Sequence, residues 1–295
     1  MVKYELPFNF DIKLLDFITE KIDKDWVEFL FLAPFKEDSK NARSHLEGID
    51  KKNWTYTVPI TRDDYSFYIK EIQKRGLKPA VLFQEEKPID YSTLDYYLKL
   101  GVDNFVVNSD ELAKMIKNLN PKFKVVASIT KTLSATNLWE NDYSMYDKIV
   151  LHFPFNRALS RINKLPNFYK YTLLVNSYCL YNCSIAKKHW ASTNENYSNI
   201  NCLKNQHKDD LIYIPPEYVN IFEPFVDSFK IQGREYKTDI LKEEIYCYYK
   251  NIHNPMAGVI YNRLSSFNAE EYFNKGKDLK FVIYDNPHNN LPQPA

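Results

Sequence analysis

A closed α/β barrel of eight parallel strands is the fold this sequence predicts, and three observations predict it. Short β-branched and aromatic runs alternate with longer amphipathic segments, the pattern of βα units around a parallel sheet. Eight such runs can be counted, the number that closes a (β/α)8, or TIM-type, barrel. The chain has only six glycines and carries neither G-x-G-x-x-G nor a Walker A motif, so it lacks the phosphate loop that usually marks an open doubly wound sheet. A length of 295 residues accommodates one large domain, read here as a single barrel over residues 1–277 followed by a C-terminal strand and tail over 278–295.

The eight runs are Val27–Pro34 (VEFLFLAP), Pro79–Gln84 (PAVLFQ), Asn104–Asn108 (NFVVN), Lys124–Ser128 (KVVAS), Lys148–Phe153 (KIVLHF), Thr172–Asn176 (TLLVN), Leu211–Pro215 (LIYIP) and Ser228–Gln232 (SFKIQ). Lys36–Thr57 is too polar and too long for a simple βα connection, and reads as a polar insertion after the first of these strands. Arg62–Arg75 and Tyr91–Leu100 are expected helices. Ser109 and Thr238 each precede apolar residues at 3-4 spacing and are expected to cap two more. The run KFVIY in the tail reads as a last short strand, with a Pro/Asn-rich end beyond it.

Composition narrows the class. With 44% hydrophobic residues, 26% charged residues, 23 tyrosines and 19 phenylalanines, the chain is a folding one and not a disordered one. Its 39 basic and 38 acidic residues leave a net charge of +1, so no global field draws it to nucleic acid or anionic lipid. The start, MVKYELPFNFDIKLL, lacks the basic flank and unbroken apolar stretch of a signal peptide, and no segment approaches the roughly 18 apolar residues of a membrane span. A cytoplasmic protein with no membrane partner is expected. Its four cysteines are then expected to be reduced thiols or metal ligands.

In such a barrel the C-terminal strand ends and the segments after them converge on one face, where sites are built. The positions gathered there are Arg43, Gln84, Glu85, Glu86, Asn108, Thr130, His152, Asn156, Arg157, Asn176, Cys179, Cys183, Glu217, Lys230, Gln232, Arg234 and Glu235. Arginine, amide and carboxylate groups together suit an anionic or oxygen-rich small molecule. Cys179 and Cys183 are four positions apart after the sixth run, Cys202 lies 19 residues further on, and Cys247 sits within EEIYCYYKNI. Thiolates meeting over a barrel mouth can hold an iron–sulfur cluster or zinc. Cys247 can equally be a small buried hydrophobe, with His189 or His207 as a nitrogen ligand in its stead. His152 points either into the barrel or out toward the helices. No cysteine-protease signature surrounds the thiols, and there is no H-E-x-x-H or G-x-S-x-G.

Two stretches carry a family resemblance. DSFKIQGREYKTDILKEEIYCYY, residues 227–249, resembles the strand-eight signature of the collagenase-like peptidase family U-32, a run of the type Asp-x-x-Lys-Ile-Glu-Gly-Arg before a helix bearing a tyrosine. VNSYCLYNC stands where that family places its first cysteines. The resemblance implies a TIM-type barrel and, as in several members, a [4Fe-4S] cluster on four cysteines serving oxygen-independent hydroxylation in ubiquinone biosynthesis or on RNA bases. By position, Cys179, Cys183 and Cys202 match the cysteine region, while Lys230, Gly233 and Arg234 match the strand-eight motif, with Gln232 where glutamate is usual. Cys247 comes later than the family's fourth ligand.

The expected roles follow. Cys179, Cys183, Cys202 and Cys247 are the metal ligands; Glu235, Arg234, Lys230, Glu217 and Glu85 the catalytic candidates; Arg43, Arg157, Asn156, Asn176 and Gln232 the substrate-binding ones. The substrate is a small molecule or nucleotide-type compound, and because family members act in pairs a hetero-oligomeric partner is expected. Two rival readings use the same residues: a zinc-dependent hydrolase or peptidase, and a non-catalytic barrel that docks a partner protein.

Overall fold

The computed structural model describes residues 2–35, 38, 61–156, 158–177, 212–234 and 236–255. Its strands are β1 (Lys3–Pro7), β2 (Val27–Leu32), β3 (Pro79–Phe83), β4 (Asn104–Val107), β5 (Lys124–Ala127), β6 (Lys148–Val150), β7 (Tyr171–Leu174) and β8 (Ser228–Lys230). They pair in sequence order, all parallel, and β8 returns to β1 to close the barrel. The predicted fold class is the one observed.

The strands differ from the expected ones at two places. The barrel opens with β1, KYELP, which the strand reading passes over because a glutamate stands at its centre and a proline at its end. The expected strand at Leu211–Pro215 is instead a buried extended stretch over Ile212–Ile214, tied to the sheet by the Ile214 amide donating to the Val175 carbonyl at 2.8 Å. One omission and one excess leave the count at eight. The proposed insertion, apart from Asp38, and the tail strand lie outside the described residues.

The helices are α1 (Ile12–Lys21), α2 (Arg62–Lys74), α3 (Tyr91–Lys99), α4 (Asp110–Leu119), α5 (Ala135–Glu140), α6 (Leu159–Ile162) and α7 (Thr238–Lys250). α4 starts as expected, with Ser109 Oγ accepting from the Leu112 amide. α2 starts with a reciprocal box, Thr61 Oγ1 accepting from the Asp64 amide at 3.1 Å and the Asp64 carboxylate accepting from the Thr61 amide at 3.0 Å. Thr238 is not a cap: it is the first residue of α7, and its hydroxyl serves Asp11 and Asn9 on the β1 side.

Side chains alternate across each strand. Outward residues such as Leu6, Leu30, Val81, Phe105, Ile149, Leu173 and Phe229 join the helices in the outer core. Inward residues Phe31, Leu82, Val106, Val126, Val150 and Leu174 fill the barrel, joined by Ile129, Phe153 and Ile212 from beyond the strand ends. The barrel is thus plugged, and chemistry is confined to its two ends. No described helix is long and apolar enough to cross a membrane.

Candidate functional site at the barrel mouth

Lys148 reaches the interior, where its Nζ bonds Ser228 Oγ at 2.9 Å, Val150 lies in the interior plug and Leu151 in the outer core. His152 lies two residues past the end of β6, immediately before the turn Phe153–Phe155, whose Phe153 joins the barrel plug. Its ring stacks on Phe153 at 5.2 Å between centroids and 27° between planes. Its Nε2 is buried with no hydrogen-bond partner among the described residues. Burial pushes the imidazole down to about 4, so it is neutral near pH 7.

The amides nearby divide by use. Asn176 clamps the ends of β7 and β8, donating to the Gln232 carbonyl at 2.8 Å while its Oδ1 accepts from the Gln232 amide at 2.6 Å. Asn156, fully buried, donates through Nδ2 to the Leu174 carbonyl at 2.5 Å and the Ile212 carbonyl at 3.1 Å. Both expected substrate-binding asparagines thus spend hydrogen bonds on holding the rim together. What they leave over is small: the buried Asn156 Oδ1, together with Gln84 Oε1 at the end of β3, has no partner among the described residues. Gln232 is half-buried and Glu85 follows Gln84 on the same rim.

Beneath the rim lies a charged group that the sequence reading only half contained. Glu5 of β1, with no exposure, accepts from Lys230 Nζ at 3.1 Å and from Thr172 Oγ1 at 2.9 Å, with Ser228 Oγ at 3.4 Å and Lys148 Nζ at 3.9 Å. Lys148 is also paired with Glu28. Lys230 therefore points into the barrel, its Nζ 3.6 Å from the centre of the Phe31 ring, and not freely into the mouth. Burial pushes its ammonium below the ordinary lysine value; Glu5 opposes this, while the nearby Arg234 and Lys148 charges add to it. Glu5 was missing from the expected site because β1 was; an acidic residue inside a buried strand was the available signal.

Arg234 is 5% exposed and stands close enough to Lys230 to act on it electrostatically. It is delivered by a turn in which the Tyr236 amide donates to the Gly233 carbonyl at 2.7 Å. Gly233 has φ of 122°, and a Cβ there would stand 2.5 Å from the Tyr236 ring. The glycine of the strand-eight motif is thus a backbone requirement of the turn that carries the arginine.

Two expected site residues lie elsewhere. Glu217 belongs to the turn Pro216–Ile221 packed on α7, with His253 Nδ1 at 3.5 Å. Cys247, in the last turns of α7, has its Sγ 3.5 Å from the His253 carbonyl and 3.8 Å from Glu243. The neighbouring Tyr248 has its ring centre 6.3 Å from that of Tyr4 in β1 and donates its hydroxyl to the Ile214 carbonyl at 2.8 Å, so this part of α7 packs on the outer layer of the barrel. Burial first, and then the Glu243 and other carboxylates, push the thiol up to about 12. A metal-ligating thiolate needs the reverse surroundings. Cys247 fits the alternative of a packed small hydrophobe, whereas the open Nε2 of His152 is a donor that a metal centre at the mouth could use. Arg43, Arg157, Glu235, Cys179, Cys183, Cys202, His189 and His207 lie outside the described residues, among which no group of three His, Cys, Asp or Glu is placed to hold a metal ion.

A plugged parallel barrel with a polar C-terminal rim over buried cations defines the class: a TIM-type barrel. No protein-family model and no curated protein sequence matches the chain. Among solved structures it is similar to a U32 peptidase, at a TM-score of 0.52 and 13% identity over 80% of this chain and 95% of that one. It is also similar to phosphoribosylanthranilate isomerase from Thermotoga maritima, at 0.44 and 12% over 85% and 98%. An α-amylase from Geobacillus thermoleovorans matches at 0.46 and 13% over 87% and 78%. At these identities the U32 peptidase likeness is one of fold.

Proposed function

We propose that the chain is a U-32-like cytoplasmic barrel enzyme that modifies an anionic, oxygen-rich small molecule or a nucleic-acid base at the C-terminal mouth, with a [4Fe-4S] cluster as its redox group. The observation that supports this most is the pair of buried cations under the rim, Arg234 and Lys230, with Arg234 near enough to push the Lys230 ammonium down. An anionic substrate group beside the Arg234 guanidinium would gain a charge-assisted contact that burial strengthens. Arg234, with Arg157 and Arg43, then holds the acidic group, Gln84 Oε1 and Asn156 Oδ1 accept from substrate hydroxyl or amide donors, and Glu85 and Glu235 are the proton-transfer candidates. Glu5 pairs with Lys230 inside the barrel and opposes the loss of its charge on burial. Cys179, Cys183 and Cys202 would ligate the cluster, which supplies one-electron chemistry when bound. A partner protein would complete the assembly, as the resemblance to paired family members implies.

Anaerobic purification followed by iron, sulfide and zinc analysis tests the reading. Brown protein whose broad visible absorbance is bleached by dithionite is the expected result. A colourless protein with stoichiometric zinc would replace it with a zinc-dependent hydrolase on the same cysteines. A metal-free protein would leave the partner-docking barrel.

A further inference from the structure

We infer that the polar residues inside the barrel form a proton path that joins Lys230, under the rim, to the solvent at the opposite end. Its use at the mouth rests on the reading above; the path itself stands on the network. Lys148 and Ser228 open β6 and β8, and Glu28 is the second residue of β2, so these three mark the N-terminal end of the barrel. Lys230 closes β8 at the C-terminal end. Between them no link is missing. Glu28 is paired with Lys148, whose Nζ donates to Ser228 Oγ at 2.9 Å. The Ser228 and Thr172 hydroxyls share a hydrogen bond of 2.7 Å, Thr172 Oγ1 donates to Glu5 Oε1 at 2.9 Å, and Glu5 Oε2 accepts from Lys230 Nζ at 3.1 Å. The Glu28 side chain is 30% exposed, whereas Glu5 has no exposure and the two lysine side chains 7% each. The chain of groups thus meets water at Glu28 and is shielded along its length.

Stability does not call for it. A buried ionic set often folds no better than packed apolar residues of the same volume, and the rest of the interior is the apolar plug. What the polar set adds is that every member can both take and give a proton. Lys230 gives a proton to Glu5 Oε2, and the carboxyl turns to offer it to Thr172. The two hydroxyls each accept one proton and release another, Lys148 passes one to Glu28 and takes the next from Ser228, and Glu28 releases its own to water. One proton has then left Lys230, a hydronium has formed outside, and every group between is as it began; the reverse order recharges the lysine. Burial brings the Lys230 ammonium down from the ordinary lysine value against the pull of Glu5, and the Arg234 and Lys148 charges add to the fall, which makes the proton available.

The test follows the Nζ protons of Lys230 by ammonium-detected nuclear magnetic resonance in full-length protein labelled with 15N-lysine, the signal being assigned by its loss in Lys230→Met. Their exchange with water is measured at one pH in wild type, in Glu28→Gln, and in Thr172→Val combined with Ser228→Ala. In both variants it should slow about tenfold, the factor given by a barrier raised by one hydrogen bond. Wild-type exchange should also be much faster than that of the Ile231 amide, bonded to the Glu5 carbonyl at 3.0 Å, which reports opening of the barrel wall. Exchange that keeps its wild-type rate in either variant, or that tracks the Ile231 amide, overturns the path and leaves Glu5 and Lys230 a structural pair. Glu28→Gln changes a partly exposed side chain and decides alone if the double variant does not fold. Iron content is not at issue in any arm, so a failed path leaves the proposed function standing.

Discussion

Replacing Glu5 by glutamine should cost about 3 kcal/mol of folding stability. The carboxylate is fully buried and is the acidic group within hydrogen-bond distance of Lys230 among the described residues, at 3.1 Å. Glutamine keeps the shape and one acceptor for Thr172 but leaves the Lys230 ammonium buried near the Arg234 and Lys148 charges. Removing one partner of a buried ion pair costs about 3–5 kcal/mol. The lower end applies, because the lysine can escape by losing its proton and Lys148 retains Glu28. That escape has a sign. A lysine whose folded value lies below its unfolded one binds fewer protons when folded, so the variant should regain stability as pH rises toward the ordinary lysine range. Urea unfolding followed by circular dichroism measures both effects. The companion double variant, Glu5→Leu with Lys230→Met, removes both charges and should lie within about 2 kcal/mol of wild type, since a packed apolar pair often matches a buried ionic one. A loss below about 1 kcal/mol for Glu5→Gln, or a double variant equal to the sum of its singles, would refute the account of the pair.

Two further outcomes follow from the same geometry. Gly233→Ala should destabilise by about 2 kcal/mol, from a φ of 122° and a Cβ placed 2.5 Å from the Tyr236 ring; an unchanged thermal midpoint would show that this turn is not what seats Arg234. Cys247, its thiol pushed up to about 12, should resist iodoacetamide in the native protein near pH 8, where only about one thiol in 10⁴ is ionised; peptide mapping by mass spectrometry would refute its packed placement if it were labelled as fast as in urea.

The fold was legible because most barrel strands are buried on both faces and read as continuous apolar runs, such as NFVV and KIVL. Where that rule fails, the reading fails. KYELP belongs to the barrel although its central residue is charged, since Glu5 is matched inside by Lys230, Thr172 and Ser228 from two other strands, partners no local window contains. LIYIP looks more like a strand, yet its apolar residues serve a different purpose: Ile212 caps the barrel plug and Tyr213 and Ile214 join the outer core. Burial produces the same apolar run whether or not a ladder of hydrogen bonds goes with it.

The site was legible only to the level of which segments reach the mouth. Asparagine at a strand end reads as a ligand-binding amide, but its short side chain also suits the backbone donors and acceptors left over where a ladder stops, and Asn156 and Asn176 are engaged there. Lysine 230 reads as a mouth cation because it precedes the strand-eight turn, yet parity and the Glu5 carboxylate draw it inward. Glu217 follows the LIYIP run and belongs to the turn Pro216–Ile221, where it faces His253 on the far side of α7's last turn. His152 lies past the point where strand parity applies, because the β6 ladder ends at Val150 and Leu151 packs in the outer core while Phe153 joins the plug.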